Sequence, residues 1–385
     1  MHTNYRDKSR LTPGIRKTGN ILLQILPILL GCVFIFSGFV KAIDPLGSTY
    51  KFDEYFRAFG GIFELFTHIS FPLAILLSTI ELVIGLSLLL KVHLRYTIYS
   101  ALAFMAVMTS LTLYSAIKNP VSDCGCFGDA LVISNWATFY KNVVLIILVI
   151  VLTLFQKGLR AFFTVKAQNV TVGIFVAFAI GLSVYCYRNL PLIDFLPYKV
   201  GVNIPNAMAI PEKAATDKYN TTFIYAKNGV QKEFTLENYP KGDATWKFVD
   251  QKTVLISSGY KAPIHDFSIV NEQFEDITER VLYDEGTTYL LIAYDLNQSS
   301  MNGAAKSEEV YQKAIKSGAK FYALTASSDE DIQAFKQKTK VTYPFCKTDP
   351  TTLKTIIRAN PGLMLIKNGT ITGKWNWRNF EKSVL

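Results

Sequence analysis

Cysteine and histidine are scarce in this chain, at five and four of 385 residues. The histidines, His2, His68, His93 and His265, never cluster, so none stands beside the cysteines to complete a zinc site. Acidic residues are thin in the first half. Residues 1–190 contain 16 Lys+Arg against 8 Asp+Glu, whereas residues 191–385 contain 24 against 22. The net charge of +10 therefore belongs mostly to the first half, where it lies between apolar runs rather than on a soluble basic face. That placement disfavours nucleic acid as a partner.

Apolar residues, by contrast, are abundant. Half of all residues are hydrophobic and the mean hydropathy is +0.23. Five stretches, at 21–40, 71–90, 96–117, 136–155 and 170–187, are each near the ~20 residues that cross a bilayer core. None alternates as a membrane strand would, and a helix satisfies its own backbone hydrogen bonds in lipid. The first run is long for a signal peptide and lacks a small-x-small cleavage site, so it reads as a retained helix.

Charge sets the expected orientation. Arg6, Lys8, Arg10, Arg16 and Lys17 precede the first helix, Lys91 and Arg95 link the second to the third, and Lys157, Arg160 and Lys166 link the fourth to the fifth. The intervening loops carry Asp44, Asp53, Glu54, Glu64, Asp123 and Asp129. The positive-inside rule then makes residues 1–19 cytoplasmic, and five crossings put the C-terminal half outside, which in a bacterial inner membrane is the periplasm. Within the first outer loop, Phe52, Tyr55, Phe56 and Phe59 recur at helical spacing with Asp53, Glu54 and Arg57 between them. This segment is either an interfacial helix or a soluble cap on the bundle.

Two cysteines fall in the run Cys124-Gly125-Cys126-Phe127-Gly128-Asp129, in the loop before the fourth helix and on the outer side, where disulfides persist. A disulfide between cysteines one residue apart closes a very small, strained ring, and strain makes it labile rather than structural. Gly125 supplies the backbone freedom to open and close it. Asp123 and Asp129 are expected to disfavour the thiolate. Redox exchange, a fixed structural turn and a metal-binding remnant all remain open for this loop. Glu81 lies about ten residues into the second helix, and a carboxylate at that depth is a functional candidate by default. It would serve proton uptake coupled to thiol oxidation or to a quinone, or be a protonated side chain hydrogen-bonded inside the bundle. Lys41 and Asp44 at the outer end of the first helix are expected to pair or to reach the headgroups. Cys32, ~13 Å inward from Lys41 at 1.5 Å per residue, and Cys186 near the end of the fifth helix are the secondary redox candidates, or simple packing residues.

From about Pro191 the composition is that of a soluble domain. Asn228-Gly229 between residues 223 and 234 marks a hairpin turn. Residues 246–249 and 253–257, joined through 250–252, read as a second hairpin, so 191–260 is expected to be a small antiparallel β unit. Residues 261–385 alternate strands (288–294, 320–325, 343–347, 363–367, 371–375) with helices (307–317, 329–339, 351–359), an α/β layer. That order, with Tyr343-Pro344 and the segment Asn360-Pro361-Gly362-Leu363-Met364-Leu365-Ile366-Lys367-Asn368-Gly369, resembles the thioredoxin-like fold. The resemblance implies that Pro361 is cis and that Asn360 and Pro361 line a polypeptide-binding face. Where such domains place Cys-x-x-Cys, this chain reads Asp295-Leu296-Asn297-Gln298-Ser299-Ser300. Its only thiol there, Cys346, falls in a strand and reads as a small buried hydrophobe.

Residues 20–155 resemble the DoxX/MauE-like family of redox-associated membrane proteins. The matching text is Gly31-Cys32-Val33-Phe34-Ile35-Phe36-Ser37-Gly38-Phe39-Val40-Lys41 with Asp44-Pro45, then Glu81 with Gly85, then Cys124 through Asp129. The resemblance implies a four-helix membrane bundle, one branch of which serves methylamine-dehydrogenase maturation through periplasmic disulfide chemistry. The fifth helix, in 156–190, and the tail depart from the minimal form. The expected architecture is thus an α-helical membrane bundle followed by a thioredoxin-like α/β domain with a small β subdomain. The expected function is exchange of thiol/disulfide equivalents through Cys124 and Cys126 with a periplasmic thiol protein or a membrane-complex partner, as a thiol–disulfide oxidoreductase component with the tail as docking module. A quinone is the one candidate cofactor. A non-enzymatic membrane scaffold with a structural Cys-Gly-Cys turn, and a proton or transport path through Glu81, are the competing readings.

Overall fold

The computed structural model describes residues 13–121, 123–159, 163–257 and 259–383. Arg6, Lys8, Arg10 and Arg160, on which part of the orientation argument rests, lie outside the described residues, as do residues 1–12 of the expected cytoplasmic segment.

Among the described residues, five helical stretches are long and apolar enough to cross a membrane: Leu23–Ile43, Gly61–Leu89, Leu94–Lys118, Asn135–Phe155 and Val165–Arg188. The first belongs to α1 (Pro13–Ile43). It is followed by α2 (Pro45–Phe59), which starts where the Asp44 carboxylate accepts from the Gly47 N–H and Pro45 occupies the first turn. A 3₁₀ segment, Gly61–Ile69, leads into α3 (Ser70–Leu89). Then come α4 (Leu94–Lys118), α5 (Asn135–Phe155), capped by Ser134, and α6 (Val165–Arg188), capped by Thr164.

The tightest packing in the bundle is between α1 and α3, and glycine makes it possible. A Cβ on Gly38 would lie 2.6 Å from the Leu82 nitrogen, and one on Gly85 would lie 2.6 Å from the Ile35 nitrogen. Hydrophobic burial does not drive helices together in lipid, so close backbone approach of this kind supplies the van der Waals contact that does. It also sets Ser37 and Lys41, one turn apart on α1, directly against Glu81 of α3. The helix α2 packs on α3 and buries Tyr55, whose hydroxyl meets Ser115 of α4 at 3.1 Å, so the aromatic segment is seated on the bundle.

Beyond α6 the chain crosses to the soluble domain. Residues 201–204 bond to its outer strand, with Gly201 N–H donating to Ile371 O and Ile204 N–H to Gly369 O, both at 2.8 Å. A short helix, α7 (Ile204–Met208), follows. A three-stranded antiparallel sheet comes next, β1 (Lys218–Lys227), β2 (Val230–Thr235) and β3 (Lys247–Ser257), in the order β2-β1-β3. The Asn228-Gly229 hairpin forms as its sequence dictates. The second hairpin does not form. Residues 247–257 are one strand pairing with β1 along its length, with Asp250 opposite Ile224 and Lys252 opposite Thr222. Asp250-Gln251-Lys252 offers no glycine or left-handed residue to reverse the chain. Tyr198 and Ile204 are buried in the core of the following domain, so residues 196–208 pack with it rather than with the small sheet.

That domain consists of α8 (Thr278–Leu282), β4 (Thr287–Ile292), α9 (Met301–Lys316), β5 (Lys320–Thr325), α10 (Asp329–Thr339), β6 (Phe345–Lys347), α11 (Pro350–Ile356), β7 (Gly362–Lys367) and β8 (Thr370–Asn376). Its sheet order is β6-β5-β4-β7-β8; β4, β5 and β6 run parallel, while β7 is antiparallel to β4 and β8 to β7. The inner strands β4 and β7 are apolar on both faces, as a sheet covered on both sides requires. The Asn360–Pro361 peptide is cis and enters β7. The arrangement β5-β4-β7-β8 with a cis-proline before the antiparallel pair is the thioredoxin-like fold, extended by α10 and β6.

Candidate redox site and domain interface

Two glycines with positive φ, Gly125 at +65° and Gly128 at +51°, shape the loop between α4 and α5. Gly128 N–H donates to Gly125 O at 3.0 Å, and Gly125 N–H to the Asp123 carboxylate at 2.9 Å. Asn135, at the start of α5, ties the loop's entrance by donating to Asn119 Oδ1 and Val121 O. The turn faces Cys124 and Cys126 towards each other with their sulfurs 3.2 Å apart, both as free thiols and both buried, at 8% and 7% exposure.

Beneath the turn lies a buried polar cluster. Lys41 Nζ donates to Glu81 Oε2 at 2.8 Å, to Ser37 Oγ at 2.8 Å and to the Cys126 carbonyl at 2.5 Å. The Ser37 hydroxyl adds contacts to the same carbonyl at 2.8 Å and to Glu81 at 3.0 Å. Neither the Lys41–Asp44 pairing nor the headgroup position expected for Lys41 is found. Its side chain is 5% exposed and is paired to Glu81 instead. A charge held at that depth requires an opposite charge and full hydrogen bonding, and Glu81 and the Cys126 carbonyl supply both. Glu81 is therefore joined to the cysteine turn through one lysine.

Asp123 and Asp129, expected to disfavour a thiolate, are each paired with a cation. Asp123 pairs with Lys51 at 3.0 Å, and Asp129 pairs with Arg358 at 2.8 Å. The thiol hydrogen bond from Cys124, followed by the charges of Lys141 and Lys41, holds Cys126 below the ordinary thiol range. The same hydrogen bond and burial push Cys124 well above it. The pair is asymmetric, with Cys126 the more acidic member.

The soluble domain sits directly on this loop. Arg358, itself buried, places Nε 2.8 and 3.1 Å from the two Asp44 oxygens and Nη2 2.8 Å from Asp129. Tyr50 of α2 donates to the hydroxyl of Tyr294, just beyond β4, at 3.1 Å. Lys374 adds a 2.6 Å ion pair to Asp194 in the connecting segment. Arg358 carried no signal in the sequence; only its place three residues before Pro361 set it near the proline loop.

Between the two parts is a chamber of about 900 Å³, whose walls include Tyr50, Asp53 and Arg57 from α2 and Asp295, Asn297 and Asn360 from the tail. An adjoining cavity of about 420 Å³ shares Tyr50, Asp53, Arg57, Lys354 and Arg358 and reaches the cysteine loop at Gly125 and Gly128. Asn360 donates to Asp295 O at 2.7 Å, leaving its Oδ1 buried without a partner among the described residues. Pro361 is buried behind it, against Gly303, where a Cβ would come within 2.7 Å of the ring. Ser300, the last residue of the segment 295–300 that stands where such domains place Cys-x-x-Cys, caps α9 by accepting from Gly303 N–H.

The secondary redox candidates are not brought together. Cys32 is exposed on the outer surface of α1, whereas Cys186 is buried in the last turn of α6, and no sulfur–sulfur contact other than that of Cys124 with Cys126 is present among the described residues. Cys346 lies in the sheet core, where burial pushes its thiol up to about 11.

These features define a class: a membrane helix bundle with one buried dithiol, covered by a thioredoxin-like domain that has no dithiol of its own. Residues 19–155, which contain the first four spanning helices and the dithiol, match the family model of methylamine utilisation protein MauE. Residues 219–258, in the three-stranded sheet, match a domain of unknown function, DUF8463. Among solved structures, one described as "a putative protein disulfide isomerase from Bacteroides thetaiotaomicron" is similar at 17% identity and a TM-score of 0.26, covering 31% of this chain and 81% of that chain. The fold assignment rests on strand order and the cis-proline loop, not on that likeness. No curated protein matches the chain.

Proposed function

We propose that the chain is a membrane thiol–disulfide exchange component in which Cys124 and Cys126 cycle between dithiol and disulfide. The tail would hold a thiol-bearing polypeptide partner in the chamber beside Asn360. The observation that carries this reading is the asymmetric dithiol itself: sulfurs 3.2 Å apart, with Lys41 bound to the Cys126 carbonyl and Lys141 close by. A partner disulfide attacked by the Cys126 thiolate gives a mixed disulfide, which the Cys124 thiol resolves as it loses its proton. The reverse sequence oxidises a partner dithiol. The alternation of basic loops supports a bacterial inner-membrane location with the dithiol and tail on the periplasmic side.

A scaffold reading draws on the burial of both sulfurs, since a fixed turn needs no access. The two readings separate in a trapping experiment. With Cys124→Ser, the Cys126 thiolate forms a mixed disulfide that cannot resolve, and a covalent adduct should accumulate on non-reducing gels of intact cells. No adduct, together with an unchanging thiol state of the native pair, would favour the scaffold.

A further inference from the structure

Thiol–disulfide exchange asks as much of Cys124 as of Cys126. Cys124 must carry charge in its turn, as the sulfur that resolves a mixed disulfide or as the leaving group when a partner thiolate opens the ring. Its burial opposes that charge. The groups facing it are Cys126 on the same loop, Lys141 of α5 and Tyr55 of α2, whose hydroxyl hydrogen-bonds the Cys124 sulfur. Tyr55 is buried as well, and burial followed by the neighbouring Cys124 pushes its pKa up, so the hydroxyl keeps its proton and serves as a donor. Its second partner is Ser115 of α4, fully buried and 3.1 Å away, and the Ser115 hydroxyl also reaches Leu111 O at 3.0 Å. Each hydroxyl holds one proton and accepts as well as donates. With Cys124 protonated, Tyr55 donates to Ser115 and Ser115 to Leu111. With Cys124 charged, both hydroxyls rotate, so that Ser115 donates to Tyr55 and Tyr55 to the sulfur.

We propose that Tyr55 is a catalytic residue of the exchange, its hydroxyl donating to the Cys124 sulfur whenever that sulfur becomes charged, with Ser115 as the partner that lets it turn. The proposal rests on the exchange reading above. With a disulfide as oxidant, the Cys126 thiolate forms a bond to one of its sulfurs, the partner's S–S bond breaks and one partner thiolate leaves. Cys124 then attacks Cys126. The Cys124–Cys126 bond forms, the bond from Cys126 to the partner breaks, and the second partner sulfur leaves with the proton that Cys124 gives up. The dithiol is oxidised and the disulfide reduced to two thiols. Cys126 no longer accepts the Cys124 hydrogen bond once it is in the mixed disulfide, so the Tyr55 hydroxyl stabilises the charge developing on Cys124 in this second step. In the reverse direction the same donor serves Cys124 as the leaving sulfur.

The test uses the full chain in nanodiscs, reduced and freed of reductant, then mixed with oxidised glutathione and quenched with acid over time. Mass spectrometry of the peptide carrying Cys124 and Cys126 counts the dithiol, the glutathione adduct and the disulfide, so attack and resolution are read separately. Tyr55→Phe keeps the buried ring and removes only the hydroxyl. In this variant the dithiol should be consumed within about twofold of the native rate, while the adduct resolves about tenfold more slowly, as loss of one hydrogen bond to a charged group implies. Ser115→Ala leaves the Tyr55 hydroxyl in place and should resolve within about threefold of the native rate. If the adduct resolves equally fast in Tyr55→Phe and the native chain, or if attack and resolution slow by the same factor, Tyr55 only packs and the proposal is wrong. If the native dithiol yields neither adduct nor disulfide, the exchange reading itself fails and takes the proposal with it.

Discussion

At the scale of single residues, the site depends on a few charges whose partners are distant in sequence. Cys126 is the member of its pair held towards thiolate, by the Cys124 hydrogen bond and then by Lys141 and Lys41. A lowered pKa means that Cys126 is reactive at a lower pH than an ordinary cysteine and loses that reactivity only when pH falls below its own value. In Cys124→Ser the hydrogen bond weakens but the lysines remain. Burial opposes the lysines, so alkylation of Cys126 followed against pH should plateau later than in the native pair, and Lys41→Met should move its midpoint further up by ~1–3 units. Glu81→Gln leaves Lys41 buried without its counter-charge, which costs ~3–5 kcal/mol when one partner of such a pair is removed. The thermal midpoint in detergent should drop clearly. The double variant Lys41→Met/Glu81→Leu should recover most of that loss, because the apolar pair needs no compensation.

The elements explain which parts of this were visible in the sequence. Apolar runs of membrane length and the alternation of strands and helices after 260 depend on local pattern, and both formed where expected. Asn228-Gly229 made its turn for the same reason. Residues 250–252 resemble a turn because they interrupt the strand pattern with polar residues, although only the partner strand decides whether the chain reverses there. Lys41 and Glu81 were each conspicuous, but their pairing depends on how α1 and α3 dock, and that is set by Gly38 and Gly85. Those glycines make their own prediction. Gly85→Val should force the helices apart at an overpacking cost of ~1–3 kcal/mol. It should also release Cys126 from Lys41, seen as a higher alkylation midpoint as well as lower stability. Asp123 and Asp129 looked repulsive to a thiolate because Lys51 and Arg358, which neutralise them, come from 72 and 229 residues away.

At the scale of the whole molecule, Arg358 joins the two halves. It satisfies Asp44, which caps α2, and Asp129, which ends the cysteine motif, from a position beside the cis-proline loop. A partner held by the tail, as proposed, would thereby lie in register with the dithiol, both of whose sulfurs are buried. Arg358→Ala should loosen the interface by ~1.5–3 kcal/mol, in line with hydrogen bonds to charged groups. Hydrogen exchange at residues 44–50 and 125–129 should rise together. Arg358→Lys should restore little, since an ammonium cannot reproduce the fork that meets two carboxylates.

The central claim is that the Cys124–Cys126 pair changes redox state as the protein works. The most direct measurement is the thiol state of the two residues in intact cells, trapped with a mass-tagged maleimide before and after a pulse of reductant. The pair should shift to dithiol during the pulse and return to disulfide within minutes, and the return should slow in Arg358→Ala. A pair that stays fully reduced or fully oxidised throughout would contradict the account and leave the loop as a structural turn.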